Sequence, residues 1–182
     1  MGGADKALLP LAGAPLLAHV IERLEPQVER LALSANGDAA RFARFGLPVL
    51  PDKAAAGPLA GLLAALRWAE PLGATAVLSA PVDGPFLPGD LCPRLCLAAE
   101  RASEGLALAA AGGRVHPTYG LWPVALAAPL AAFLASGVKP KVMDFARAHG
   151  AIEAGFPDAQ AFENLNSPDD LARAEALIRG GG

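Results

Sequence analysis

The sequence predicts one α/β domain in which helices cover both faces of a mostly parallel sheet, giving three layers. Short apolar runs alternate along the chain with segments whose apolar residues recur at helical spacing, which is typical of βαβ units. The 182 residues are 53% hydrophobic and 18% charged, so they can bury a sizeable core and are not typical of a disordered chain. Because neither a repeat nor a linker is visible, we predict a single domain over residues 1–182.

The first half of the chain predicts two helices with clear signals. One begins at Pro15, because proline suits the first helical position and Leu16–Leu24 keep helical spacing, and Pro26 ends it. The other covers Pro58–Glu70, where leucines line one face. The remaining elements expected here are strands at Leu31–Ser34, Leu47–Leu50 and Thr75–Ala80, a helix near Ala39–Phe45 and a turn at Asn36-Gly37.

The second half predicts one strand that turns back on its predecessor. Gly112-Gly113 follows a strand at Leu106–Ala110, so we expect His116–Trp122 to pair with that strand. Ser167 is expected to cap the last helix, with Pro168 at its first position. Further elements are helices at Pro88–Ala102, Val124–Ala135 and Val142–Ala148, a strand near Ile152 and a frayed end at Gly180–Gly182.

Three polar residues directly follow predicted strands: Asn36, Asp52 and Asp83. Right-handed crossovers bring such strand exits to one edge of a sheet, where α/β proteins bind ligands. Asp83 comes after a buried strand and before Gly84-Pro85, a position that suits either a Mg²⁺ ligand or a turn-forming aspartate. For Asp52, a base-reading carboxylate and the commoner exposed loop carboxylate both remain open.

Two glycine-containing segments are candidates for contact with a nucleotide. Met1–Lys6 joins two glycines to a lone lysine, and such glycines let backbone N–H groups approach a phosphate closely. A solvated lysine in an irregular N-terminus is the alternative. Gly57–Gly61 ends a loop rich in small residues and opens a predicted helix, and its glycines and alanine would let a flat ligand lie against the backbone. A plain loop before a helix is the alternative there.

His116, Asn164 and Asn166 are further polar candidates. Asn164 and Asn166 would point to the same side of an extended segment, since side chains alternate. Structural roles are open for all three residues, because asparagine routinely forms caps and turns and a lone histidine is usually structural.

Taken together, these motifs resemble the molybdenum cofactor guanylyltransferase family from Met1 to about Arg173. The segments that carry the resemblance are Met1–Leu9, Leu33–Asn36, Pro51-Asp52, Gly57–Gly61, Pro81–Pro88, His116–Thr118, Val142–Phe145 and Asn164–Leu171. In that family a strand and a Leu-Ala-Gly-Gly turn come before the Met-Gly-x-x-Lys motif. The resemblance therefore implies that the first strand and the phosphate-binding turn lie upstream of Met1. We expect a mis-assigned start, and poor stability or no activity for the chain as given.

The resemblance implies a Rossmann-like nucleotidyltransferase fold and transfer of GMP from GTP to a molybdopterin-type cofactor, with release of pyrophosphate. By that likeness Lys6 contacts phosphate and Asp83 holds Mg²⁺. Ser34 stands where some members have asparagine, a departure that weakens its expected role. The implied nucleotide-binding set is Lys6, Ser34, Asn36, Asp52, Gly57, Pro58, Gly61 and Asp83, and the implied acceptor-side set is His116, Asn164 and Asn166.

The expected partners are GTP, the pterin cofactor and molybdoenzyme-maturation proteins. A net charge of −3 argues against broad nucleic-acid binding, and neither a membrane-length apolar run nor a signal peptide is visible. Cys92 and Cys96 are a poor zinc pair and are interpreted as buried or half-buried thiols in a cytoplasmic protein. Alternatives are a cytidylyltransferase or another small nucleotidyltransferase, and a non-catalytic nucleotide-binding remnant.

Overall fold

A computed structural model of the chain describes residues 6–51, 57–137 and 139–180. The strands are β1 (Pro10–Leu11), β2 (Ala14–Pro15), β3 (Leu33–Ser34), β4 (Val49–Leu50), β5 (Ala76–Ser79), β6 (Ala107–Ala111), β7 (Arg114–Pro123) and β8 (Ile152–Phe156). The helices are α1 (Leu16–Leu24), α2 (Pro58–Ala69), α3 (Leu91–Ala99), α4 (Ala127–Ala135), α5 (Val142–Ala148) and α6 (Pro168–Gly180). Asp52 and the opening Met1–Asp5 lie outside the described residues.

The strands form a two-stranded antiparallel pair β1-β2, a parallel pair β3-β4 and a four-stranded sheet in the order β5-β7-β6-β8. In the larger sheet β7 runs antiparallel to both neighbours, whereas β6 and β8 are parallel. The α/β class is confirmed. Parallel pairing is less prevalent than expected among the described strands, because β7 turns back at Gly112-Gly113 and inserts itself between β5 and β6.

The expected three layers are present around the four-stranded sheet. Alternate residues of β6 point to opposite faces, as strand geometry requires. Ala107 and Ala109 join a buried cluster with residues of α1 and α3, while Leu108 joins a second cluster with residues of α2, α4 and α5. Helices therefore cover both faces of this sheet.

Several predicted elements begin or end elsewhere in the structure. The first helix starts at Leu16, because Pro15 is extended (φ −63°, ψ 150°) and pairs with Pro10 in a short hairpin that the sequence did not predict. Ala39–Phe45 is a 3₁₀ helix, closed by Gly46 at φ 66°. α3 is shorter than predicted at both ends, and Val124–Leu126 forms a 3₁₀ turn ahead of α4.

Other predictions are confirmed closely. The helix α5 has the predicted bounds, β7 pairs back on β6, and α6 begins at Pro168 with the Ser167 hydroxyl accepting from the Asp170 N–H at 3.1 Å. Three strands are shorter than predicted, leaving only Leu33–Ser34, Val49–Leu50 and Ala76–Ser79, and the predicted strand Leu106–Ala110 is shifted by one residue to Ala107–Ala111.

β3 pairs with β4 in one sheet and β5 pairs with β7 in another. The expectation of a first strand upstream of Met1 stays a prediction. Among the described residues, no helix is both long enough and apolar enough to cross a bilayer.

Candidate active site at the exit of β5

Asp83 lies in a tight turn that follows β5. The Gly84 N–H donates to the Pro81 carbonyl at 3.4 Å, and the Asp83 carbonyl accepts from the Leu165 N–H at 2.8 Å. The Asp83 side chain is only 15% exposed. These two backbone hydrogen bonds fix the carboxylate at the sheet edge and bring the segment before α6 directly beside it.

The Lys6 ammonium reaches the same point from the other end of the chain. Its Nζ atom lies 3.4 Å from Asp83 Oδ2 and donates to Asn166 Oδ1 at 2.6 Å. The neighbouring Ala7 is buried in an apolar cluster that also contains Leu33 and has Val82 packed against it. Packing of adjacent residues therefore carries Lys6 to the Asp83 turn, while its own side chain stays 41% exposed and accessible to a ligand.

The N-terminus of α6 orients Asn166. One carboxylate oxygen of Asp170, Oδ2, accepts from the Asn166 N–H at 2.9 Å and from the Ser167 N–H at 2.8 Å. Together with the Ser167 cap, this forms a reciprocal capping box. The Asn166 N–H and the Ser167 hydroxyl hold the pKa of Asp170 below its ordinary value, so the carboxylate is charged at neutral pH.

Asn164 takes part in this arrangement through its backbone, since its carbonyl accepts from Asn166 Nδ2 at 3.3 Å. Both asparagines flank Leu165, whose N–H binds the Asp83 carbonyl. The structure thus brings together four of the predicted site residues, Lys6, Asp83, Asn164 and Asn166.

Ser34 and Asn36 lie at the exit of β3, on a neighbouring part of the edge. Ala35, between them, donates its N–H to the Leu50 carbonyl at 3.1 Å, and the Arg41 guanidinium donates to the Asn36 carbonyl. Leu33 and Ala35 belong to the apolar cluster that also contains Ala7. The exit of β3 and the segment around Lys6 therefore pack against the same apolar cluster.

Gly57 precedes α2 with φ 60° and ψ −150°, a left-handed conformation that favours glycine. Pro58 occupies the first position of the helix, and Gly61 is buried within its first two turns. The helix α2 packs beside both β3 and β4. In the chain, the start of α2 comes shortly after Asp52, the residue predicted to recognise the base together with Gly57–Gly61.

His116 lies within a cluster of aromatic rings that sequence reasoning did not foresee. Its ring stacks on Phe162 with centroids 4.8 Å apart, and Tyr119 meets Phe162 edge-on at 5.0 Å. Burial lowers the pKa of His116 below its ordinary value, and burial together with Asp83 raises the pKa of Tyr119. Tyr119 is therefore a neutral phenol close to the Asp83 carboxylate.

Tyr119 and Asp170 are the two residues near the site that the sequence analysis missed. A signal existed for Asp170, because Ser167-x-x-Asp170 has capping-box spacing. Tyr119 has no comparable signal apart from being the single tyrosine of the chain. The position of Tyr119 depends on a register shift between β6 and β7 that no local sequence pattern predicts.

The residues at the β5 exit have the chemistry of a phosphate and divalent-cation site. The Asp83 carboxylate and the Asn166 amide oxygen are hard donors of the kind that Mg²⁺ prefers, and Lys6 supplies a mobile positive charge. Across residues 6–51, 57–137 and 139–180, no three His, Cys, Asp or Glu side chains group as a self-contained metal site. Mg²⁺ in proteins is commonly held by one or two carboxylates together with substrate phosphates, an arrangement that Asp83 could serve.

Comparison with known proteins identifies the family of this chain. The family of MobA-like NTP transferase domains matches residues 1–151. The molybdenum cofactor guanylyltransferase of Cereibacter sphaeroides is 64% identical over 98% of this chain and 91% of its own length.

Two solved structures share the fold. One is the molybdopterin-guanine dinucleotide biosynthesis protein A of Archaeoglobus fulgidus, with TM-score 0.77 and 21% identity over 98% of this chain and 92% of that one. The other is the 2-C-methyl-D-erythritol 4-phosphate cytidylyltransferase of Thermus thermophilus, with TM-score 0.68 and 23% identity over 96% and 94%. By its family match and its sequence identity to a curated relative, this chain belongs to the molybdenum cofactor guanylyltransferase family of MobA-like NTP transferases.

Proposed function

We propose that this chain transfers GMP from GTP to a molybdenum-molybdopterin cofactor and releases pyrophosphate. The observation that carries the proposal is the meeting of Lys6, Asp83 and Asn166 at one strand exit, in a chain so similar to a named guanylyltransferase. A lysine, a half-buried carboxylate and an amide within hydrogen-bond reach are suited to phosphates and their counter-ion, because phosphoryl-type transfer depends mainly on positioning and charge neutralisation.

In the proposed reaction an oxygen of the terminal phosphate of the pterin attacks the α-phosphorus of GTP. A new P–O bond forms as the bond to the β-phosphate bridging oxygen breaks, and pyrophosphate leaves with the electron pair. Lys6 contacts the phosphates, where its ammonium stabilises the charge that grows on the departing group. Asn166 orients Lys6, with which it already shares a 2.6 Å hydrogen bond.

Asp83 is the residue proposed to hold Mg²⁺, with further ligands coming from the substrate phosphates. When bound, Mg²⁺ would supply additional neutralisation of phosphate charge. The 3.4 Å Lys6–Asp83 contact suits this role, since a partly exposed ion pair of that length is weak and can open to admit a ligand.

Guanine recognition is proposed for Asp52 with the Gly57–Gly61 loop, with Ser34 and Asn36 beside it. A carboxylate can accept from N1–H and the exocyclic amine of guanine, a donor pair that cytosine and adenine lack. Gly57 and Pro58 are exposed at the start of α2, where a flat ring could approach the backbone closely.

The acceptor side is assigned to His116, Asn164 and Asn166. The neutral His116 ring is stacked on Phe162 and offers a nitrogen without a partner among the described residues. The contact between Asn166 and Lys6 supports placing the asparagines close to the reacting phosphates.

We further propose that residues 1–182 belong to one nucleotidyltransferase domain that works in the cytoplasm and passes its product to molybdoenzyme-maturation proteins. The unbridged thiols Cys92 and Cys96, 3.9 Å apart, accord with a reducing compartment.

Nucleotide selectivity tests the proposal. Calorimetric titration with GTP, CTP and ATP, each with and without Mg²⁺, should give the tightest binding for GTP with Mg²⁺. Mixing GTP and the pterin cofactor with a version of the chain extended upstream of Met1 should then yield pyrophosphate and a guanine dinucleotide. Preference for CTP, with a cytosine dinucleotide as product, would replace this proposal by the cytidylyltransferase alternative.

A further inference from the structure

Strand β7 contains an irregularity close to the proposed site. Leu108 of β6 pairs with Gly120, whereas the next residue, Ala109, pairs with His116. Residues 117–119 are therefore extra on β7 and bulge out of the ladder. Bulges of this kind re-aim side chains and are common beside active sites.

The bulge is anchored to β5, the strand that leads to Asp83. The Ser79 hydroxyl donates to the Thr118 carbonyl at 2.9 Å and accepts from the Trp122 indole N–H at 2.9 Å. The hydroxyl also donates to the Gly120 carbonyl at 3.4 Å, so Ser79 contacts the backbone on both sides of Tyr119. The Tyr119 ring, 1% exposed, is further held by its edge-on contact with Phe162.

The hydroxyl end of the Tyr119 side chain packs against the Asp83 turn at Gly84. A Cβ atom on Gly84 would lie 1.8 Å from the Tyr119 hydroxyl oxygen and 3.0 Å from the ring carbon that bears it. Only glycine fits at this position without displacing the phenol or the turn. The contact is therefore a close fit between a rigid ring and the backbone that carries Asp83.

The Tyr119 hydroxyl is buried and makes no hydrogen bond to the described residues. A phenylalanine would fill the same aromatic cluster without a buried polar atom that lacks a partner, a feature that costs stability. Ring packing alone therefore does not account for a tyrosine here. The hydroxyl makes the side chain longer by one oxygen atom, and this oxygen is the Tyr119 atom nearest to Gly84.

We propose that Tyr119 and Gly84 form a matched pair that positions the Asp83 turn for cation and phosphate binding. Tyr119 is a positioning residue in this pair: it acts through the backbone of Gly84 on the Asp83 carboxylate. The inference rests on the proposed role of Asp83. The size of residue 84 and the length of side chain 119 are expected to be coupled.

A double-mutant cycle of Gly84→Ala, Tyr119→Phe and the combination tests this coupling. Gly84→Ala should lower Tm clearly, because its methyl group overlaps the hydroxyl. Adding Tyr119→Phe should restore much of that loss, since removal of the oxygen leaves the 3.0 Å contact as the nearest one. Gly89→Ala is the matched control from the same connection, as its Cβ would meet nothing within 4 Å. Equal loss of Tm in Gly84→Ala and in the double variant would overturn the pairing.

The positioning role has a separate readout, the factor by which Mg²⁺ strengthens GTP binding in calorimetry. We expect Gly84→Ala to reduce this factor by about tenfold or more, the size seen when a residue that orients a metal ligand is lost. Tyr119→Phe alone should reduce it less, the double variant should recover part of it, and Gly89→Ala should leave it unchanged.

The outcomes separate the two proposals. If the wild-type chain binds GTP equally with and without Mg²⁺, the proposed role of Asp83 fails and the positioning role fails with it. If the wild-type chain shows the Mg²⁺ effect and Gly84→Ala keeps it in full, only the positioning role of Tyr119 and Gly84 is wrong.

Discussion

The two parts of the proposed nucleotide site are built differently. At the β5 exit, Lys6, Asp83 and Asn166 are joined by side-chain contacts of 3.4 and 2.6 Å. At the β3 exit, the backbone around Ser34 is held by ladder bonds such as Leu33 N–H to the Pro48 carbonyl at 2.9 Å. The first part offers charges brought together by side-chain contacts, and the second offers backbone that a flat ring can approach. The difference matches the two tasks, since charge neutralisation needs placed charges and base recognition needs close approach.

The largest effect is expected from removing the charge at the β5 exit. Asp83→Asn keeps the shape of the side chain but loses the charge that recruits Mg²⁺. Because a catalytic metal ion supplies several kcal/mol of transition-state stabilisation, we expect turnover to fall about 1000-fold. Pyrophosphate release at saturating Mg²⁺ by the chain extended upstream of Met1 measures this, with circular dichroism to check the fold. Asp158→Asn is the control, because that exposed carboxylate accepts only a local backbone N–H. Near-normal turnover of Asp83→Asn would show that the carboxylate holds no catalytic cation.

Lys6→Ala should come next, with a loss of about 100-fold in kcat and a much smaller loss of GTP affinity, since its ammonium meets charge that develops as pyrophosphate leaves. Steady-state kinetics combined with calorimetry separate the two effects. The exposed Lys139 supplies the control variant Lys139→Ala. A higher KM at unchanged kcat would instead assign Lys6 to ground-state binding.

A substitution at the proposed guanine-recognition residues should change nucleotide selectivity more than the rate of transfer. Asp52→Ala is expected to reduce the preference for GTP over CTP by about tenfold, within the range of 1–3 kcal/mol for a lost paired hydrogen bond. Competition binding of the two nucleotides measures the ratio, and Asp38→Ala is a control carboxylate that caps the 3₁₀ helix at Ala39. Unchanged selectivity would remove Asp52 from the base site and weaken the division into two parts.

The smallest effect is expected at the capping box that orients Asn166. Asp170→Asn should lower turnover by about two- to fivefold, because only the orientation of a contacting residue changes. Asp169→Asn is the control, because it removes a charge from the same helical turn but leaves the two backbone hydrogen bonds to Asp170 in place.

A pH series adds a second measurement for Asp170. Its pKa is lowered on folding, so its contribution to stability is full above the ordinary value of 3.8 and is lost as pH falls through the folded value. Thermal melts of the wild-type chain should therefore fall more between about pH 5 and pH 3 than those of Asp170→Asn. Parallel pH curves for the two proteins would contradict a capping role.

The sequence predicted what depends on local pattern. The apolar strand before Asp83 and the glycine and proline after it placed the carboxylate at a strand exit, and the Ser167-Pro168 pair placed the start of α6. Helix α2 followed from its leucines alone. In each case neighbouring residues contain the information.

The sequence could not predict contacts that depend on the whole fold. Lys6 meets Asp83 across 77 positions and Asn166 across 160, and no local pattern fixes such distances. The bulge that turns Tyr119 towards Gly84 arises from a mismatch between two paired strands. The pairing of β7 with β5 was also not predicted, because the insertion of β7 between β5 and β6 depends on the whole fold.

The most direct test of the central claim is the position of a cation in crystals of this chain grown with GTP and Mn²⁺ in place of Mg²⁺. The anomalous signal of Mn²⁺ locates the ion independently of any assumed role. The account predicts a peak bonded to an Asp83 carboxylate oxygen and to GTP phosphates, with the Lys6 ammonium on the phosphates. A GTP-bound Mn²⁺ peak away from Asp83, with the Lys6–Asp83 pair still closed, would contradict it.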